Sequence, residues 1–177
     1  MSRRLAEGLK TDATPRRHDE AVAVVALGSN LGDRAAILDA ALTDLARLPL
    51  VTHVKTATPI ESVALTPEGP DADAPAYLNS VALLTTRLAP TVLLGYLHAI
   101  EARHGRERGV RWADRTLDLD LIAYGEVTSD GPVLILPHPR AAERDFVLEP
   151  WLQVDPDAVL PGAGRVADIL ARLREPS

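Results

Sequence analysis

The sequence of 177 residues contains no cysteine, six aromatic side chains and two lysines, Lys10 and Lys55. Each scarcity excludes something. Without cysteine there is no disulfide framework, thiolate nucleophile, cysteine-ligated zinc or iron–sulfur cluster, and the lack fits a reducing cytosol, where the protein is expected to reside. With the aromatics limited to Tyr77, Tyr96, Trp112, Tyr124, Phe146 and Trp151, the core has to be built mainly from Leu, Val, Ala and Ile. With two lysines against 17 arginines, an anion site has to be made of guanidinium forks, which suit phosphate and carboxylate. No apolar run approaches the roughly 20 residues of a membrane span, so no membrane partner is expected.

What is present describes a globular chain. Hydrophobic residues make up 46% and charged residues 25%, and the length fits one domain with a core large enough to need no staples. The formal charge of −6 argues against a nucleic-acid partner, whose phosphates call for a basic surface. That charge is unevenly spread: Arg103, Arg106, Arg108, Arg111 and Arg115 crowd one stretch that holds two acids, Glu107 and Asp114.

Residues 1–20 are polar and mixed in charge and are expected to form a disordered tail, leaving 21–177 as a single domain. Ala21 to Leu27 reads as a buried strand. Gly28-Ser29-Asn30-Leu31-Gly32 is expected to break it, and Asp33 to cap a helix running to about Leu48, where Pro49 stops it. Val51 to Ile60 reads as a strand, Glu61 to Ala76 as a long loop because of Pro67, Gly69, Pro70 and Pro75, and Tyr77 to Arg87 as a strand. Pro90 opens a helix that reaches about His104. Thr116 to Tyr124 is a strand, Gly125 to Gly131 a turn, Pro132 to Leu136 a short strand, and helices close the chain near 141–153 and 166–174. This order is the split βαβ, or ferredoxin-like, pattern: an α+β domain with helices packed on a mainly antiparallel sheet.

The strongest chemical signal is Thr116-Leu117-Asp118-Leu119-Asp120-Leu121. Strand alternation sends the three leucines to the core and both carboxylates to the other face, with Cα atoms roughly 6.5–7 Å apart. Such a pair can hold one or two hard cations such as Mg²⁺, or simply face solvent on an edge strand. Arginine beside aspartate is ordinarily a salt bridge. Five arginines before two aspartates exceed mutual neutralisation, however, and match what a Mg²⁺–polyphosphate needs. The glycine turn at 28–32 lacks the spacing and the lysine of a P-loop, although it can still contact an anion or substrate. Gly162-Ala163-Gly164-Arg165-Val166-Ala167 has no following βαβ unit and is a chance match. Of the five histidines, His138, in Leu136-Pro137-His138-Pro139-Arg140, stands at a strand end where a donor can reach phosphate. Two other classes fit parts of this pattern: a different Mg²⁺-dependent transferase using the D-x-D, and an RNA-binding module, which the net charge disfavours.

The segments Ala26-Leu27-Gly28-Ser29-Asn30-Leu31-Gly32, Tyr77-Leu78-Asn79, Gly105-Arg106-Glu107-Arg108, Arg111-Trp112-Ala113-Asp114-Arg115-Thr116-Leu117-Asp118-Leu119-Asp120-Leu121, Pro137-His138-Pro139-Arg140 and Arg144-Asp145-Phe146 together resemble the 6-hydroxymethyl-7,8-dihydropterin pyrophosphokinases of folate biosynthesis. The resemblance implies transfer of the pyrophosphoryl group of ATP to the pterin hydroxymethyl, with release of AMP and the help of two Mg²⁺ ions, by a monomer. It implies that Asp118 and Asp120 bind the metals and that Arg106 and Arg115 act on the phosphates. Arg108, Arg111, His138 and Glu101 correspond to nucleotide contacts. Tyr77 and Phe146 correspond to rings that sandwich the pterin, Asn79 to its hydrogen-bonding amide, and Trp112 to a residue closing over it. Leu65 ends Ser62-Val63-Ala64-Leu65, which resembles the pterin-pocket loop loosely. Pro139 stands where many members carry an aromatic residue, and Asp114 where a proline is usual.

Overall fold

The Val-rich run at the start of the domain forms strand β1 (Ala21–Ser29). The computed structural model describes residues 20–66, 68–104 and 116–175. Gly28 and Ser29 do not break the strand as expected but complete it, because Gly28 is paired on both sides, with Asn79 and with Asp118. Helix α1 (Arg34–Ala46) follows, its first turn capped by the Asp33 carboxylate, which accepts a hydrogen bond of 3.0 Å from the Ala36 N–H. It stops short of Leu48, and Leu50 turns the chain with a left-handed φ of 61°.

Strand β2 (Val51–Thr56) ends earlier than the expected Ile60, and the segment expected to be a long loop carries three short strands, β3 (Ile60–Ser62), β4 (Ala64–Thr66) and β5 (Gly69–Asp71). β3 takes the edge of β6 (Tyr77–Thr86) left open beyond β2, and β4 pairs with β5 as a hairpin. Backbone groups passing an open strand edge gain hydrogen bonds by pairing with it, and that gain overrides a loop-like composition. Helix α2 (Pro90–Arg103) and strand β7 (Asp118–Tyr124) complete the main sheet. β8 (Ser129–Asp130) falls inside the expected turn and pairs with β9 (Ile135–Leu136), which begins three residues after the expected Pro132 because the hairpin pairs only Asp130 with Ile135 and Ser129 with Leu136. A 3₁₀ turn at Ala141–Glu143 precedes α3 (Asp145–Val154), so the third helix starts later than expected. The hairpin of β10 (Val159–Leu160) and β11 (Gly164–Arg165) leads into α4 (Val166–Leu173).

The main sheet runs β2-β6-β1-β7, every neighbour antiparallel, so that β6 splits the β1-α1-β2 unit as the ferredoxin-like pattern requires. Apolar cores lie on both faces. One, under α1 and α2, gathers Leu27, Leu38, Leu45, Leu84, Leu93, Leu97 and Leu119; each leucine buried there stabilises the fold by about 2 kcal/mol. The other, under α3 and α4, gathers Val24, Val81, Ile122, Leu148, Trp151 and Ile169. A register shift between Val24 and Val25 interrupts the alternation of β7. It sends Leu119 and Leu121 to the first core and both Ile122 and Ala123 to the second. Tyr124 returns to the first core, where its hydroxyl donates to the Leu88 carbonyl, so this scarce aromatic is structural, as is Trp151. The expected tail falls almost wholly on residues 1–19, outside the described residues.

Candidate active site

At one end of the sheet, on the face that α3 covers further along, the register aligns residues from four strands. Asp118 on β7 is paired with Gly28 on β1, Gly28 with Asn79 on β6, and Asn79 with Ile60 on β3. Paired residues share a face, so the carboxylate and the amide stand in one row, two strand spacings or about 9–10 Å apart. Asp120 lies in the next row, paired with Ala26. Tyr77, two residues before Asn79 and opposite Ser62, joins the same face. Residues distant in sequence thus meet because Gly28 sits centrally and presents no side chain to separate them.

Asp118 and Asp120 are partly exposed, while Leu117, Leu119 and Leu121 between and around them are buried, as alternation requires. The Asp120 Oδ2 accepts a hydrogen bond of 2.9 Å from Arg144 Nη1. Arg144 immediately precedes α3, and its guanidinium also lies 5.9 Å from the centre of the Phe146 ring. One cation therefore touches both the carboxylate and the aromatic residue expected at opposite parts of the site. Sequence reasoning did not single out Arg144; its only signal was the segment Arg144-Asp145-Phe146.

His138 is half-buried beside these groups. Its N–H donates to the Ile122 carbonyl at 2.8 Å, which ties its loop to β7, and its Nδ1 accepts from the Arg140 N–H at 3.2 Å. The ring hydrogen of the neutral form therefore sits on Nε2, available as a donor. Burial pulls the imidazole below its ordinary pKa; the Asp120 charge opposes that shift, and Arg144 and Arg140 reinforce it. Beyond Asp120 and His138 a groove of about 330 Å³ opens between apolar walls that include Leu94, Leu121, Val133 and Ile135.

Glu101, expected at the nucleotide, is only 1% exposed, and its Oε1 accepts a hydrogen bond of 2.8 Å from the Leu119 N–H, between the two aspartates. The structure places it beneath β7, where it supports the backbone that carries them. Asn79 is buried, and its Nδ2 donates to Ser62 Oγ at 2.7 Å. Tyr77 and Phe146 are half-buried, the first at the open end of β6 and the second at the start of α3. Arg34 braces the approach to Tyr77: Nη1 donates to the Ala76 carbonyl at 2.6 Å and Nη2 to Glu61 Oε1 at 2.8 Å. Leu65 belongs to β4, and its side chain is outside the described set. Arg106, Arg108, Arg111, Trp112 and Arg115 also lie outside the described residues. The bases of their segment are joined, since Thr116 Oγ1 donates to the His104 carbonyl and Ser29 Oγ to the Thr116 carbonyl. Ser29 is thus a structural donor to this junction.

Among the described residues no cluster of three or more His, Asp or Glu side chains could hold a metal ion. A pair of carboxylates on one strand face fits Mg²⁺ in particular, because that ion commonly takes one or two carboxylates and completes its octahedron with phosphate and water oxygens.

Residues 24–156 match the family described as 7,8-dihydro-6-hydroxymethylpterin-pyrophosphokinase. The chain is 44% identical over 147 residues to the 2-amino-4-hydroxy-6-hydroxymethyldihydropteridine pyrophosphokinase of Pseudomonas aeruginosa, covering 83% of this chain and 88% of that one. It is 36% identical over 153 residues to the enzyme of the same name from Haemophilus influenzae, covering 86% and 93%. Its fold is similar to a crystal structure of Plasmodium falciparum HPPK-DHPS, with a TM-score of 0.68 at 12% identity, covering 89% of this chain and 46% of that one. The chain spans under half of that longer protein, and this likeness concerns the fold alone.

Proposed function

The chain belongs to the 7,8-dihydro-6-hydroxymethylpterin-pyrophosphokinase family, and from that premise we propose how its parts divide the work. It is an ATP-dependent pyrophosphokinase of folate biosynthesis, which transfers the pyrophosphoryl group of ATP to the hydroxymethyl group of 6-hydroxymethyl-7,8-dihydropterin and yields the pterin diphosphate and AMP. In that reaction the hydroxymethyl oxygen bonds to the β-phosphorus, the bond from that phosphorus to the oxygen bridging it to the α-phosphorus breaks, and the hydroxyl proton is released.

The observation that carries the assignment is the row Asp118, Gly28, Asn79, because it sets an acidic group and a ligand-binding amide on one face with an open position between them. Asp118 and Asp120 hold two Mg²⁺ ions together with the phosphates. When bound, Mg²⁺ neutralises phosphate charge and eases loss of the hydroxyl proton. Asn79 pairs with the edge of the pterin, Tyr77 and Phe146 flank its faces, and Trp112 and the Leu65 loop close around it. Arg106 and Arg115 stabilise charge on the transferring group, with Arg108 and Arg111 as further nucleotide contacts. His138 donates from Nε2 to a phosphate oxygen, and the apolar groove beside it suits the flat base of ATP. Glu101 serves the nucleotide site through the β7 backbone rather than by direct contact.

Under this reading the protein is a monomer in the cytoplasm, and the lack of cysteine fits that reducing compartment. No helix among the described residues is long and apolar enough to cross a membrane. Incubation with ATP, Mg²⁺ and the pterin, followed by chromatography, is expected to show AMP and pterin diphosphate in equal amounts. ADP accompanied by a monophosphorylated pterin would overturn the reading.

A further inference from the structure

Asp118 lies between two points at which the end of helix α2 grips strand β7. Ahead of it, Thr116 Oγ1 donates to the His104 carbonyl; behind it, the Leu119 N–H donates to Glu101 Oε1 at 2.8 Å. Glu101 belongs to the last turn of α2, and His104 caps that turn, its N–H reaching back to the Ile100 and Glu101 carbonyls. Ser29 Oγ, donating to the Thr116 carbonyl, ties the first grip to the end of β1. The backbone that carries Asp118 therefore follows the end of α2. That end is itself held from outside the site. Asp44, in the last turn of α1, accepts at Oδ2 from His104 Nε2 at 3.1 Å and lies 3.4 Å from Arg103 Nη2. The histidine and aspartate side chains are only 18% and 21% exposed, so the pair is largely shielded from water. Each link has one direction, because a carboxylate and a carbonyl only accept: the imidazole nitrogen and the two hydroxyls are the donors.

We propose that Asp44 is a positioning residue for the Asp118 carboxylate, acting through His104 and the end of α2. Helix ends fray unless something ties them down, and here the tie is the imidazole that Asp44 holds. Without Asp44 that last turn loosens, and both grips on β7 loosen with it. A Mg²⁺ ion tolerates little displacement of its ligands, because it demands a nearly ideal octahedron. Metal affinity thus depends on α1, a helix that supplies none of the proposed site residues. The inference rests on the reading of Asp118 as a metal ligand.

The test compares Asp44→Ala with Asp44→Asn, which keeps an oxygen for the His104 ring. In the nucleotide-free protein, the backbone amide resonances of Asp118 and Leu119 are expected to move in Asp44→Ala and to stay in place in Asp44→Asn. Calorimetry with Mn²⁺ alone is expected to show affinity about fivefold weaker in Asp44→Ala and within about twofold of the unmodified protein in Asp44→Asn. In turnover, Asp44→Ala should lower kcat by a similar factor and leave the KM for the pterin within about twofold. His104→Ala should reproduce Asp44→Ala, and the double variant should be no worse than either, as expected of residues that act in one chain. Unmoved resonances or unchanged Mn²⁺ affinity in Asp44→Ala overturn the proposal. So does loss of the native circular dichroism in both Asp44→Ala and His104→Ala, which would make the pair a requirement of the fold alone. Asp118→Ala tells the two readings apart. If it leaves Mn²⁺ affinity intact, Asp118 is not a metal ligand and both readings fall; if it weakens Mn²⁺ binding while Asp44→Ala does not, the role of Asp44 alone fails.

Discussion

Arg144 Nη1 donates to Asp120 Oδ2 at 2.9 Å, so an arginine just before α3 occupies an oxygen of one of the two aspartates on β7. The arginine side chain is 19% exposed and the aspartate 42%, a partly screened pair whose contribution to stability is at most about 1 kcal/mol. Its chemical consequence is larger, because a guanidinium and a metal ion compete for the same carboxylate. Arg144→Ala is expected to tighten binding of Mn²⁺ to the nucleotide-free protein severalfold, measured by calorimetry, while lowering turnover. Weaker Mn²⁺ binding in that variant would show that the arginine supports the metal site instead of competing with it.

Asp118 and Asp120 project away from the leucines that bury β7, so their removal should cost chemistry and spare the fold. Asp118→Ala and Asp120→Ala are each expected to reduce kcat more than 100-fold with circular dichroism and thermal midpoint close to those of the unmodified protein. Near-normal turnover in either variant would reject its assignment as a metal ligand.

Tyr77 and Phe146 are half-buried at the end of the sheet, and neither lines the groove assigned to the base of ATP. Loss of either ring removes stacking on a flat heteroaromatic ligand, worth about 0.5–1.5 kcal/mol beyond the area it covers. Tyr77→Ala and Phe146→Ala are expected to weaken pterin binding about tenfold or more and ATP binding little. Equal losses for the two ligands, measured separately by calorimetry, would argue against the sandwich.

His138 is pulled below its ordinary pKa chiefly by burial, against the Asp120 charge and with Arg144 and Arg140. The folded protein therefore resists a proton that the unfolded chain accepts near the usual histidine pKa of about 6.5. Between that value and the lower folded one, the unfolded state binds more protons, so stability rises with pH through this window and falls as the medium is acidified through it. The imidazole resonance of His138 is expected to titrate below the free-histidine midpoint, lower still in Asp120→Asn, which removes the opposing charge. His138→Asn should flatten the dependence of thermal midpoint on pH in the same window. A midpoint above that of free histidine would contradict the dominance of burial.

Local patterns in the sequence determined much of the molecule. The alternation in Thr116–Leu121 placed both carboxylates on one face, since a strand's period of two belongs to the backbone whatever lies beside it. The Asp33 cap, the proline start of α2 and the split βαβ order were likewise legible, because caps and periodicities act over a few residues. The scarcity of aromatics left Tyr77 and Phe146 to be accounted for one by one, and both stand half-buried at the end of the sheet that holds Asp118.

Tertiary pairing decided the rest. Glu61 to Ala76 has a loop's composition, yet Ile60–Ser62 becomes a strand because the edge of β6 offers it partners, and only that pairing brings Ser62 to Asn79. Gly28 read as a strand breaker; between Asn79 and Asp118 it is the position where a missing Cβ lets a carboxamide stand close. Arg144 reaches Asp120 from 24 positions further along the chain, and Glu101 reaches the Leu119 amide from helix α2. Residue types and periods are properties of short segments and survive in any context. Which donor meets which acceptor depends on strand register and helix packing, and these are settled only when the whole chain has closed on its two cores.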